Sequence, residues 1–175
     1  MSLSHTATTA ANEPSAVQRG ARNAGLPWVG SMESLDLHMS RRLALCRRSC
    51  ELMALLWIEL ELLMAPGAAA GMGTAADHEL LQAAGLRLRN RVRSTDEVVQ
   101  VAGLGFAVLL HGAGADTTTL VEQRLQQTLT GAYGLEGQRL YLGVRMGRAL
   151  FPEAGRNGRQ LAEAACQDLA LRQGG

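Results

Sequence analysis

The apolar residues of this chain recur at helical intervals in some segments and run continuously in others. An amphipathic helix is predicted from about Met32 to Cys50, because apolar residues recur there at steps of three and four. The apolar run from Leu52 to Leu60 predicts a central strand that is covered on both faces. After a loop rich in glycine and alanine, from Pro66 to Ala76, a second helix is predicted from Asp77 to Arg93.

A β-hairpin is predicted directly after the second helix. Its strands run from Val98 to Ala102 and from Phe106 to Leu110, and a turn from Gly103 to Gly105 joins them. Two glycines in three residues suit a tight turn between runs rich in β-branched and aromatic residues.

The last third of the chain predicts a helix, a strand and a final helix. Thr119 with Glu122 three residues later has the spacing of a capping box, which predicts a helix from there to about Gly131. Apolar and polar residues alternate from Arg139 to Gly147, and helical spacing returns from Arg159 to Arg172. We therefore expect an α+β domain with a ferredoxin-like or palm-type β-α-β-β-α-β order. Its central sheet contains antiparallel strands and is flanked by helices, and one extra helix precedes it.

The composition narrows the classes of function. With 175 residues, of which 47% are hydrophobic, the chain has the length of one domain and enough apolar surface for a core. A formal net charge of +1 supplies no field that would draw it onto nucleic acid or anionic lipid. All 17 basic residues are arginines, so chemistry that needs a lysine amine, such as a Schiff base or a P-loop contact, is excluded.

The cysteines and the first residues of the chain predict a reduced, cytoplasmic protein. Three cysteines are too few for a disulfide scaffold, and Cys46 and Cys50 are interpreted as small buried residues rather than metal ligands. Residues 1–24 lack the apolar region of a signal peptide, so we expect a flexible N-terminal segment before a domain at residues 25–175. The longest apolar run, from Leu52 to Ile58, is far shorter than a membrane span.

The stretch from Arg93 to Leu110, RSTDEVVQVAGLGFAVLL, resembles the GGDEF family around its signature turn. Shorter similarities appear in the family's order: Gly25-Leu26-Pro27 to its LTGLPNR segment, Trp57 to Glu61 to its IDID strand, Val144 to Gly147 to its VSIG strand, and Ala165-Cys166 to its AD pair. The resemblance covers roughly Gly25 to Gly174. It implies the fold of a diguanylate cyclase domain, which joins two GTP molecules.

The catalytic residues that the resemblance implies are mostly replaced. The corresponding positions are Glu59 and Gly105 for the metal-binding carboxylates, Met64 for a phosphate-binding lysine and His78 for a guanine-reading aspartate. The signature turn itself consists of Ala102, Gly103, Leu104, Gly105 and Phe106. Because cyclisation needs divalent metal on carboxylates and cations on phosphates, the resemblance implies a degenerate, inactive domain. No functional Mg²⁺ site is then expected, and no cofactor is required.

A second family feature is retained, the inhibitory site for cyclic di-GMP, which is marked by Arg-x-x-Asp ending five residues before the turn. Arg93 and Asp96 stand in this register. Arginine can pair with guanine O6 and N7, and aspartate can accept from guanine N1–H and the exocyclic amine. The resemblance adds Arg124, in the helix after the hairpin, and Arg47 or Arg48, which would reach a nucleotide bound to a neighbouring domain.

Each candidate residue also has a structural alternative. Arg93 and Asp96 could be a helix-end arginine and a turn former, and Arg124 an exposed helix residue. Glu59 would be a solvated or paired carboxylate, and His78 an exposed residue at a helix start. An RNA-binding surface lacks aromatic platforms at 3% aromatic content. Besides RNA binding, a cluster of arginines in the second helix could form a solvated face or a partner-binding patch. Its members are Arg87, Arg89, Arg91 and Arg93.

The sequence therefore predicts an inactive GGDEF-like domain that binds cyclic di-GMP as a receptor or regulatory module in bacterial second-messenger signalling. The alternative is a ligand-free pseudo-enzyme that serves dimerisation or protein docking, and residual cyclase activity is a third hypothesis. The expected partners are cyclic di-GMP and a second copy of the chain or another protein, with no nucleic acid. If the side chains of Arg93 and Asp96 are tied up in the fold, the docking module is favoured.

Overall fold

A computed structural model describes residues 25–63, 74–135 and 138–172, which contain four helices and five strands. The helices are α1 Met32–Ser49, α2 Thr74–Arg89, α3 Ala115–Leu129 and α4 Gly158–Leu171. The strands are β1 Met53–Leu63, β2 Glu97–Val101, β3 Gly105–His111, β4 Gly131–Leu135 and β5 Gln138–Phe151. This order confirms the predicted α+β class and the helix that precedes the β-α-β-β-α-β series. The predicted N-terminal segment and Met64 lie outside the described residues.

The five strands form one antiparallel sheet in the order β2-β3-β1-β5-β4. β1 lies at the centre, paired with β3 on one side and with β5 on the other. The strand predicted from the continuous apolar run is therefore confirmed, although it extends to Leu63 rather than ending at Leu60.

Helices cover both faces of the sheet, and this explains the apolar run of β1. Alternate β1 residues such as Ala54 and Leu56 belong to a core formed with α2 and α3. The residues between them, such as Met53 and Leu55, belong to a second core formed with α1 and α4. From Met53 to Leu56 every residue of β1 is buried, so apolar residues occupy consecutive positions without the usual alternation.

Several element boundaries differ from the prediction. α2 ends at Arg89, so Arg93 lies in the loop that follows rather than in the helix. β5 continues past Gly147 to Phe151, and Gly147 lies where α4 packs closely on the strand. A Cβ on Gly147 would lie 2.0 Å from the carbonyl oxygen of Ala165.

The predicted capping box at Thr119 is wrong. α3 begins at Ala115, after an N-cap glycine that makes no side-chain cap, and the Thr119 hydroxyl donates to the Ala115 carbonyl inside the helix. Glu122 is 9% exposed and is paired with Arg148 and Arg172. Its carboxylate therefore serves tertiary packing rather than the start of the helix.

Three further points differ from the sequence prediction. Strand β4 was not predicted, and Cys50 is exposed at the C-cap of α1 with a φ of 54°, whereas Cys46 is buried as expected. The loop predicted to continue through Ala76 ends earlier, because α2 already begins at Thr74.

Candidate functional site

The loop between α2 and β2 carries Arg93 and Asp96, and the Asp96 carboxylate holds it in place. Oδ2 of Asp96 accepts from the Arg93 backbone N–H at 3.0 Å, and Oδ1 accepts from the His111 backbone N–H at 3.1 Å. The Asp96 N–H in turn donates to the Arg93 carbonyl at 3.0 Å. One carboxylate thus fixes the turn and joins it to the end of β3. Because each carboxylate oxygen can accept a second hydrogen bond, Asp96 keeps acceptor capacity.

A cavity of about 600 Å³ opens beside this loop. Its lining residues come from the N-terminal end of the described chain, from α2 and its following loop, and from the start of β2: Gly25, Leu26, Pro27, Arg89, Val92, Arg93, Ser94, Asp96, Glu97 and Val98. We call it the loop cavity. Within the described part of the chain, the Arg93 guanidinium has no hydrogen bond or ion pair. The cavity therefore presents a fixed carboxylate next to a free guanidinium.

One wall of the loop cavity is a short segment added to the edge of β2. The Gln100 N–H donates to the Pro27 carbonyl at 2.8 Å, and the Val29 N–H donates to the Gln100 carbonyl at 2.9 Å. Leu26 is buried against α2, where a Cβ on Gly85 would lie 2.8 Å from a Leu26 methyl group. The glycine in the middle of α2 thus lets this wall pack tightly.

Glu97, on the same cavity, is already paired from the side of α1. Its carboxylate contacts His38 Nε2 at 2.9 Å and Arg42 Nε at 3.2 Å. This pairing ties β2 to α1 and offsets the Glu97 charge. Nearby, burial lowers the pKa of His111, and the positive charge of Arg42 lowers it further.

The structure does not bring the other predicted ligand residues into the loop cavity. Arg124 lines a separate cavity of about 660 Å³ between α2 and α3, together with Arg87, Asn90, Arg91, Gln127 and Thr128. Arg47 lies in the last turn of α1, and its guanidinium donates to the Arg156 carbonyl at 2.7 Å. Within one chain, only Arg93 and Asp96 among the predicted ligand residues meet at one cavity.

The signature turn lies at the opposite end of the β2–β3 hairpin and holds no carboxylate. Ala102, Gly103 and Leu104 form the turn, and Gly103 takes a φ of +71° that suits glycine. The Leu104 carbonyl accepts from the Leu60 N–H at 2.9 Å, and its side chain packs against the core. Gly105 is buried at the start of β3, next to Phe106, which is fully buried. The turn is therefore held by backbone pairing and apolar packing.

Glu59, the acid retained on β1, is paired with an arginine rather than left free. It is the cross-strand partner of both Gly105 and Arg145, and Arg145 Nη2 lies 2.8 Å from its Oε2. Trp57 Nε1 donates to the other carboxylate oxygen at 3.4 Å. The alternative of a paired carboxylate thus describes Glu59.

The described residues do not fit a magnesium site at this position. Mg²⁺ prefers carboxylate and other oxygen ligands in an octahedral arrangement, but the Glu59 carboxylate is paired with the Arg145 guanidinium and Gly105 has no side chain to offer. No group of three His, Cys, Asp or Glu side chains in residues 25–63, 74–135 and 138–172 could hold a metal ion. His78, in the first half of α2, has its Nε2 3.2 Å from the Gln82 side-chain nitrogen.

Two residues in these sites were missed by sequence reasoning. Arg89 lines the loop cavity one helical turn before Arg93, and Arg145 pairs with Glu59. Arg89 precedes Arg93 by four residues, about one helical turn, and this spacing could have indicated that both line the same site. The register of β1 against β5 is needed to place Arg145.

Comparison with known proteins identifies the domain. Residues 30–173 match the family described as "Diguanylate cyclase, GGDEF domain". The chain belongs to the GGDEF family. Among curated proteins it is 30% identical, over 76 residues, to the uncharacterized protein YhcK of Bacillus subtilis. That match spans 42% of this chain and 21% of YhcK, so the chain corresponds to about a fifth of that relative.

Solved GGDEF structures share the fold. A sensory box/GGDEF family protein from Caulobacter crescentus aligns with a TM-score of 0.73 and 24% identity, over 89% of this chain and 100% of that one. The coiled coil and GGDEF domain of Caulobacter crescentus DgcB, solved in complex with c-di-GMP, aligns with a TM-score of 0.71 and 15% identity. The alignment covers 91% of this chain and 84% of that one. Pseudomonas aeruginosa SiaD, a diguanylate cyclase in complex with its activator SiaC, aligns with a TM-score of 0.72 and 17% identity. The alignment covers 91% of this chain and 61% of that one. No helix in the described ranges is long and apolar enough to cross a membrane.

Proposed function

We propose that this GGDEF domain binds cyclic di-GMP in the loop cavity and carries no diguanylate cyclase activity. The observation that carries the proposal is a free Arg93 guanidinium beside a fixed Asp96 carboxylate, in a cavity of about 600 Å³. Small-molecule clefts span roughly 300–1,000 Å³, so the volume suits a ligand of this class. Arg93 pairs with guanine O6 and N7, and the second lone pairs of Asp96 accept from guanine N1–H and the amine.

The other end of the hairpin supports the proposed absence of cyclase activity. An arginine is bound to Glu59, Gly105 has no side chain to offer, and the whole chain has no lysine for the phosphates. Phosphoryl transfer relies on metal ions and cations that neutralise charge in the transition state, and each such contact is worth several kcal/mol. A domain without them does not turn over GTP.

The family supports a regulatory role for the bound nucleotide. DgcB was solved with c-di-GMP and SiaD with its activator SiaC, so GGDEF proteins of this fold bind the nucleotide and bind partner proteins. In this chain, ligand in the loop cavity would contact both the α2–β2 loop and the segment at Gly25 to Pro27. Binding would thus change how the domain associates with a second copy or with a cytoplasmic protein partner.

One observation favours the alternative of a ligand-free docking module. Both oxygens of Asp96 already accept backbone N–H groups, which is what a purely structural turn residue does. The free guanidinium of Arg93 has no such structural explanation among the described residues. A test of Arg93 therefore distinguishes a cyclic di-GMP receptor from a ligand-free docking module.

The experiment is calorimetric titration of cyclic di-GMP into the purified chain, with GTP as the second ligand. We expect micromolar or tighter binding of cyclic di-GMP that Arg93→Ala abolishes without lowering the unfolding midpoint. Arg139→Ala, which removes an exposed arginine on β5 next to the edge strand β4, is the matched control. If the wild-type protein binds neither nucleotide, the cyclic di-GMP receptor is ruled out and the ligand-free docking module remains. Formation of cyclic di-GMP from GTP and Mg²⁺ would overturn the claim of inactivity.

A further inference from the structure

The loop cavity contains a second arginine that the proposed guanine contacts do not use. Arg89 is the last residue of α2, and Arg93 follows four residues later in the loop, yet both line the same cavity. Neither guanidinium has a hydrogen bond or ion pair among the residues the structure describes. Two exposed cations on one cavity repel each other, so an anion between them is favoured.

The remaining charges of the loop cavity neutralise these arginines only in part. Glu97 is paired with His38 and Arg42 on the α1 side. Asp96 accepts two backbone N–H bonds and forms no ion pair among the described residues, so it is one negative charge against two positive charges. The net charge that faces a ligand is therefore positive, from Arg89 and Arg93.

Resting on the proposed function, we infer that Arg89 binds a phosphodiester of the bound cyclic dinucleotide while Arg93 and Asp96 bind a guanine. A cyclic dinucleotide presents guanine edges and anionic phosphates within one compact ring. Asp96 repels phosphate and accepts from guanine, which assigns the base to the loop end of the cavity. Arg89, on the helix end of the cavity, is left for the phosphate. The site then discriminates a phosphodiester ligand from a free base.

Arg89 also has a structural explanation that the experiment must separate. A cation in the last turn of a helix interacts favourably with the negative end of the helix dipole. A residue that served only this purpose would change the stability of α2 and leave the ligand untouched. A residue that binds phosphate would change the affinity and the environment of the ligand's phosphorus atoms.

The test measures the affinity for cyclic di-GMP and the ³¹P NMR spectrum of the bound nucleotide in wild-type protein and in Arg89→Ala, Arg89→Lys, Arg93→Lys and Arg139→Ala. We expect Arg89→Ala to weaken binding about tenfold or more, the scale of one charge-assisted hydrogen bond. It should also shift the ³¹P resonance of the bound ligand. Arg89→Lys should recover most of the affinity, because an ammonium pairs with phosphate as a point charge. Arg93→Lys should not, because lysine lacks the planar fork that matches a guanine edge.

Each outcome has a separate meaning. Unchanged affinity in Arg89→Ala, with Arg93→Lys impaired, would overturn the role of Arg89 and leave the proposed function intact. Weaker affinity with an unchanged ³¹P resonance would overturn the phosphate contact. Wild-type protein that does not bind cyclic di-GMP would overturn both. Arg139→Ala removes the same charge elsewhere, so weakening there to the same extent would also overturn a specific contact.

Discussion

The two ends of the β2–β3 hairpin carry the same kinds of charged residue in opposite arrangements. At the turn end, Glu59 is bound to Arg145, so carboxylate and guanidinium satisfy each other. At the open end, Asp96 is satisfied by backbone N–H groups, and Arg93 and Arg89 face a cavity without a partner among the described residues. The same residue types therefore leave different groups available to a ligand. A charged side chain is available only where no other group of the protein is already paired with it.

This difference has an energetic basis. An ion pair that is about 40% exposed on both sides, such as Glu59 with Arg145, contributes roughly 0–1 kcal/mol to stability. A ligand at the turn end would first have to break it and desolvate both groups. At the open end the guanidiniums of Arg89 and Arg93 have no ion pair among the described residues. A ligand there has to displace only water, so the free-energy cost of binding is lower.

The largest effect is expected for Asp96→Ala, which removes the carboxylate that fixes the open end. Two backbone N–H groups lose their acceptor, so the free energy of unfolding should fall by about 1–2 kcal/mol. The affinity for cyclic di-GMP should fall by at least about 100-fold, because two charge-assisted bonds are lost. Urea denaturation and calorimetric titration measure the two effects.

Asp96→Asn separates the two roles of this residue. The amide oxygen can still accept backbone N–H bonds, so most of the stability should return, whereas the lost charge should keep the affinity low. Asp116→Ala, an exposed acid in the first turn of α3, is the matched control. If Asp96→Asn binds cyclic di-GMP as tightly as wild type, the carboxylate has only the structural role.

The next largest effect concerns the turn end, where a metal site should form only when two changes are combined. Gly105→Glu alone should bind no Mn²⁺, because Arg145 remains on Glu59. With Arg145→Ser added, two carboxylates face each other on one side of the sheet. We expect Mn²⁺ to bind with a dissociation constant on the order of millimolar, as a weak site with few protein ligands.

Electron paramagnetic resonance of free Mn²⁺ measures this binding. A Cβ at position 105 would lie 2.8 Å from a Val101 methyl group, so Val101→Ala is added in parallel to give the new side chain room. Binding of Mn²⁺ by Gly105→Glu alone would show that the ion pair does not block the site, which would weaken the comparison between the two ends.

The smallest effect is a dependence of stability on pH at the open end. Burial lowers the pKa of His111 from its ordinary value of 6.5, and Arg42 lowers it further, against the opposing charges of Asp96, Glu97 and Glu51. The folded state therefore favours the neutral ring. The corresponding stability is fully present above about pH 6.5 and is lost as the pH falls.

The measurement is the free energy of unfolding at about pH 7.5 and about pH 5.5 for wild type and His111→Asn. The wild type should lose more stability on acidification than the variant does. Equal losses would assign the pH dependence to other groups.

Sequence patterns predicted the parts of the fold that depend on local periodicity. The central strand, the hairpin and the helices were located within a few residues, because apolar spacing is set along the chain itself. Strand β4 was missed because Gly131, Gly134 and the single buried Tyr133 give no alternation. β5 was ended too early at Gly147, since close packing of α4 is what requires that glycine.

The candidate site was predictable where a motif defines it and not where pairing across the sheet does. Arg93 and Asp96 stand three residues apart, and the structure places them on one cavity. Glu122 was assigned to a helix cap, but tertiary contacts pair it with Arg148 and Arg172. Local sequence gives no sign of such partners, because they lie on other elements.

The ion pair between Glu59 and Arg145 also affects which mutational paths are open to this domain. A single substitution that placed an acid at Gly105 would add a charge beside Glu59 but leave that carboxylate paired with Arg145. On the proposed function, a pair of carboxylates open to a metal ion therefore needs two coincident changes, and neither change alone would be favoured by selection for metal binding.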